Sequence, residues 1–151
     1  MKFVRNISVC ILFITTLSGC LVFPLKQTTP DRSLYWCAPL LNCASTEAVT
    51  LVHSIDPFPL AMDFEQAWPI IKQSVSELKG TTIEAEYDGY LYAKSRSDVM
   101  KFVDYVEVLY LPETHQLNVR SSSLLGIWDM NVNRARTQAL RQDLKEKGVI
   151  N

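Results

Sequence analysis

The chain has 151 residues, a formal charge of -1 and 48% apolar residues. That is one domain's worth of chain, since domains usually run to about 100–200 residues. It excludes a multidomain machine, a collagenous chain and a highly charged disordered tail. The near-neutral balance offers no basic footprint for nucleic acid.

The first 20 residues read as an export signal rather than as fold. Lys2 and Arg5 stand in a short start without acids, and residues 7–19 carry no charge. That run is short for a membrane span, which takes about 20 apolar residues; a basic start and a brief apolar core form a secretory signal. The run closes on Leu17-Ser18-Gly19-Cys20. This junction resembles the bacterial lipobox. The resemblance implies cleavage after Gly19, a diacylglycerol thioether on Cys20 and acylation of the new amine. The alternative is an ordinary signal peptide with an incidental cysteine. Leu21, where inner-membrane lipoproteins carry Asp, implies the outer membrane, facing the periplasm. Each buried methylene contributes about 0.8 kcal/mol, so several acyl chains hold a protein firmly on a leaflet. The expected mature chain runs from Cys20 to Asn151 and loses Lys2 and Arg5, so thirteen cations face sixteen acids. The expected division is a signal peptide over 1–19, a lipidated tether over 20–36 and a single domain over 37–151.

Cys10 leaves with the signal and Cys20 takes lipid, which leaves Cys37 and Cys43. Two near cysteines in an oxidising compartment point to a disulfide. The rivals are a metal pair and two unpaired thiols. The two histidines, His53 and His115, lie in separate segments and the cysteine spacing is not that of a zinc site, so no metal and no cofactor are expected.

Past the tether, residues 37–44 form a small loop with Pro39, and residues 49–53 are a short apolar run before the extended Asp56-Pro57-Phe58-Pro59. Residues 63–79 predict a helix, with Phe64, Ala67, Trp68, Ile71, Val75 and Leu78 on one face. Asp63 and Gln66 make a capping pattern, and Gly80 suits the stop. Pro69 lies past the first turn and predicts either a kink or a start near Trp68. The period then drops to two. Residues 82–87 place Ile83, Ala85 and Tyr87 on one face, and Asp88-Gly89 signals a hairpin. Residues 90–96, 102–111 and 117–123 complete four strands. A last helix over 131–147 carries Val132, Ala135, Ala139, Leu140 and Leu144 as its apolar face. The expected fold is α+β and two-layered, a four-stranded antiparallel meander covered by two helices.

Several stretches carry a family likeness: Arg96-Ser97, residues 102–107, Val119-Arg120-Ser121-Ser122-Ser123, Gly126, Asp129 and Asn131-Val132-Asn133-Arg134-Ala135-Arg136. With Cys37 and Asn42-Cys43-Ala44-Ser45 upstream, the chain resembles the bacterial and plastid family DUF1499. The family's C-P-x-x-P-N-C-V-S stretch has Ala38 and Leu41 here in place of its prolines. The resemblance implies no settled activity and no catalytic residue.

Polar residues crowd the strands and the last helix: Arg96, Asp104, Glu107, Arg120, Asn133, Arg134 and Arg136. They fit a structural ion-pair network, because Arg forms bidentate pairs with carboxylates. They also fit a site for a small anion or headgroup at a helix N-terminus. Asp104 and Glu107 are three apart, so an ideal strand points them to opposite faces, which argues against an acid/base pair. The sequence therefore predicts a non-enzymatic binding or scaffold module of the cell envelope. Its expected partners are the membrane through the anchor and either an envelope protein or a small anionic ligand. The alternatives are an envelope hydrolase or a carrier of an apolar or anionic small ligand.

Overall fold

The computed structural model describes residues 32–151. The expected signal peptide, Cys20 and the tether up to residue 31 lie outside the described residues.

Six strands form one antiparallel sheet: β1 (Cys43–Ser45), β2 (Phe58–Pro59), β3 (Thr81–Tyr87), β4 (Tyr90–Arg96), β5 (Val103–Leu111) and β6 (Gln116–Ser123). The meander β3-β4-β5-β6 is present as the alternation predicts. The sheet is larger than four strands because β1 and β2 both pair with the outer side of β6, at opposite ends of it. At three and two residues, neither is long enough to show a period. Both satisfy backbone groups on what would otherwise be an open sheet edge.

Two helices, α1 (Phe64–Glu77) and α2 (Val132–Glu146), cover one face of the sheet. Leu91, Val106, Val108, Leu117 and Val119 of the strands pack there against Ala67, Ile71 and Val75 of α1 and Leu140 and Leu144 of α2. The helix α1 begins at Phe64 and carries Pro69 inside it, so the later start near Trp68 does not occur. Asp63 holds the N-cap position through its carbonyl, which accepts from the Gln66 and Ala67 amides; its carboxylate makes no capping bond.

Two local departures from simple periodicity matter. The pairing of β3 with β4 shifts between Ile83 and Ala85, so the face predicted for Ile83, Ala85 and Tyr87 is broken by a bulge. The shift brings Glu86 to α1, where Trp68 Nε1 donates to it at 2.7 Å and Lys72 Nζ at 3.1 Å. In α2 the buried positions are Asn133, Thr137, Leu140 and Leu144, while Val132, Ala135 and Ala139 face outward. The predicted apolar face is thus rotated, because the first half of α2 buries polar side chains whose bonds are all made within the fold.

The sheet's second face has its own cover. Arg32 bonds the Asp88 carboxylate and the Asp88 and Tyr110 carbonyls at the β3–β4 turn. From there residues 33–36 run along the sheet. Leu34 is buried against Tyr90 and Leu109, and its amide donates to Glu47 at 2.9 Å. The strap ends at Cys37, joined by a disulfide to Cys43 in β1.

Candidate functional site at the loop end

The polar residues singled out by the sequence divide between the two faces of the sheet. Strand alternation sends Asp104 toward the helices and Glu107 away from them. Cross-strand pairing places Glu107 between Tyr92 and Arg120. On this outer face Arg120 Nη1 meets Glu107 Oε2 at 2.5 Å, and Tyr90 Oη donates to Glu107 Oε1 at 2.9 Å. The Tyr35 ring of the strap lies over the Arg120 guanidinium at 5.7 Å. Burial and the neighbouring Glu107 charge push the Tyr90 phenol far above its ordinary value.

The helix face gathers Asp104, Asn133 and Arg136, with Asn42, Ser121, Ser123 and Asp129 added to them. The Asp129 carboxylate accepts from the Asn131 amide at 2.9 Å, the Asn133 amide at 2.8 Å and Asn133 Nδ2 at 2.7 Å. Asn133 Oδ1 accepts from Ser121 Oγ and Arg136 Nη1, and its Nδ2 also reaches the Asn42 carbonyl and Ser123 Oγ. Arg136 Nη2 closes on Asp104 Oδ2 at 2.7 Å. The positions where a small anion would bind, the guanidinium and the helix N-terminus, are therefore already held by the protein's own carboxylates. This network clasps α2 to β5, β6 and the loop before β1.

The other two candidates stand apart. Arg134 donates to the Val52 and Ser54 carbonyls at 3.0 Å each and fixes the loop after β1. Arg96 is exposed at the end of β4, on the face opposite Ser95 by alternation, at the edge of a cleft of about 400 Å³. That cleft lies between the end of α1 and α2. Its lining includes Leu78, Ala135 and Ala139 beside the Asp104–Arg136 pair. Lys79 pairs with Asp98 at 2.6 Å there, which raises the ammonium and lowers the carboxyl from their ordinary values.

The open surface at this end of the sheet is apolar. Two further clefts of about 300 and 310 Å³ flank Trp128. Phe102, Leu125 and Val132 line one; Leu41, Leu51 and Val52 line the other. Val99, Met100, Ile127 and Met130 project from the same loops, each 67% exposed or more. A cluster of exposed apolar side chains at one end of a domain marks an interaction site. Periodicity could not find it, because these residues lie in loops. The available signal was the apolar composition of Leu124-Leu125-Gly126-Ile127-Trp128 in a segment too short and irregular for an element. Likewise, only the serine run at 121–123 hinted at the partners of Asn133. Among the described residues, no cluster of three His, Cys, Asp or Glu side chains could hold a metal ion.

Residues 33–144 match the family described as "Protein of unknown function (DUF1499)", and the chain belongs to that family. The match begins within the strap, so the cover of the second face is part of the family's domain. No curated protein and no solved structure proved similar to the chain.

Proposed function

We propose that the protein is a lipid-anchored, non-enzymatic binding module of the bacterial cell envelope, facing the periplasm from the outer membrane. The Leu17-Ser18-Gly19-Cys20 junction supports the anchor. The observation that carries the binding reading is the contrast at the loop end: the Asp104 and Asp129 carboxylates are bonded within the fold, while Phe102, Leu125, Ile127 and Trp128 are open to solvent. A hydrolase is less well supported, since Asp104 and Glu107 lie on opposite faces of β5 and each is committed to an arginine. A partner of this surface is apolar in its contact region, an envelope protein or a lipid, rather than a small anion. The cleft beside Phe102 and Trp128 also gives a carrier reading a concrete site, about the volume of a short acyl or aromatic ligand.

Complementation of a deletion strain tests this. Phe102→Ser combined with Ile127→Ser should leave the unfolding midpoint nearly unchanged and abolish function, because both side chains are mostly exposed. Full complementation by that stable variant would overturn the binding reading.

A further inference from the structure

Three loops, those around residues 49–52, 98–102 and 124–130, carry exposed apolar side chains at one end of the sheet. Leu51 is 94% exposed, Val99 86% and Ile127 75%. These tips are separated by clefts rather than joined into one flat patch. Fluid acyl chains fill clefts of any shape, whereas a folded partner must match them. The charges at this end also differ from the rest. Lys79, Arg96 and Arg136 line one cleft there with Asp98 and Asp104, Arg134 and Asp129 line its neighbour, and Lys101 lies near Asp98. Over residues 32–151 as a whole, acids outnumber cations by fifteen to twelve. The apolar end is thus the cationic end of an acidic molecule.

We propose that this loop end docks onto the phospholipid leaflet that carries the anchor. Phe102, Leu125, Ile127 and Trp128 enter the interface, and Arg96 and Lys101 meet lipid phosphates. Aromatic and aliphatic side chains beside Lys and Arg are what an interfacial anchor requires. The proposal rests on the lipid-anchored reading for one point, the geometry of the tether. Arg32 is fixed at the β3–β4 turn, the opposite end of the sheet from the loops. The β6 strand is eight residues long, so the tether must return about 27 Å to reach a membrane at the loop end. Residues 20–31 span up to about 40 Å when extended, which is enough.

The test uses the full anchored protein with Trp36→Phe and Trp68→Phe, leaving Trp128 as the single indole. It is reconstituted in vesicles containing phosphatidylglycerol, with lipids brominated along their acyl chains, and its melting curve is compared with the unsubstituted protein. Emission from Trp128 should shift to the blue and fall by about half or more, as for an indole at headgroup depth. Adding Ile127→Glu should remove the quenching while the protein still floats with the vesicles. A floating protein whose Trp128 is unquenched would overturn docking and leave the anchor standing. A blue shift without quenching, with dimers on cross-linking, would assign the surface to a second copy and overturn the proposal. If the protein does not float at all, the anchor reading fails. The same protein added to preformed vesicles then decides docking alone, by quenching of Trp128 or its absence.

Discussion

Arg120 lies against the Tyr35 ring and pairs with Glu107, in a layer where Glu107 is 3% exposed and Arg120 8%. Removing one member of such a pair strands the other charge without water. Arg120→Ala should therefore cost on the order of 3–5 kcal/mol in urea unfolding. Arg136→Ala should be of similar size, since it leaves Asp104 unpaired and takes a donor from Asn133. Arg96→Ala, at an exposed strand end, should stay within about 0.5 kcal/mol. Tyr90 adds a pH dependence of definite sign. Its phenol is held neutral in the fold, above its value in the unfolded chain. Its contribution is thus complete below about pH 10, the unfolded phenol value, and is lost as pH rises beyond it. Tyr90→Phe should lower stability at pH 7 by about 1–2 kcal/mol through the lost bond to Glu107. It should also make the loss between pH 9 and 11 shallower than in the parent protein; an equal alkaline slope would show that Tyr90 is not the group responsible.

At the scale of elements, the meander β3 to β6 was legible because each strand alternates long enough to show a period of two, and Asp88-Gly89 marks its first turn. The strands β1 and β2 were not legible, since neither has a pattern of its own and both exist by pairing with β6. The helix α1 kept its periodic face despite Pro69, with Ile71 and Val75 fully buried below it. For α2, hydrophobicity pointed to Val132, Ala135 and Ala139, but the fold buries Asn133 and Thr137 instead. A buried asparagine with several partners is indistinguishable in sequence from an exposed one, because its partners lie in the loop before β1, in β6 and in the α2 cap. The candidate site was half legible for the same reason: the alternation of β5 separates Asp104 from Glu107, but nothing local places Arg136 on the first and Arg120 on the second. The disulfide binds the strap to β1, closing a loop with a sequence separation of 6. The Cys37→Ser, Cys43→Ser protein should lose about 2 kcal/mol, the entropy of so short a loop. Equal midpoints for the oxidised protein and this variant in chemical denaturation would contradict that role.

Across the whole molecule, the strap, the sheet and the two helices form one domain whose ends differ. One end receives the chain at Arg32 and the hairpin turn; the other presents Trp128 between two clefts. The clasp of Asp104, Asn133 and Arg136 gives that second end a rigid base, because it fixes the start of α2 to the sheet beside the apolar loops. On the proposed reading, the anchor and the apolar end act together at one membrane. No helix among the described residues is long and apolar enough to cross a membrane; on the proposed reading, attachment is through a lipid on Cys20. The most direct measurement is the intact mass and membrane partition of the protein from cells, parent against Cys20→Ser. The parent should begin at Cys20, carry the mass of its acyl chains and remain with the membranes at high salt, while Cys20→Ser should lack the added mass and keep residues 1–19, because no thioether marks the junction for cleavage. A Cys20→Ser protein with the same processing and the same membrane partition as the parent would contradict the lipid-anchored reading.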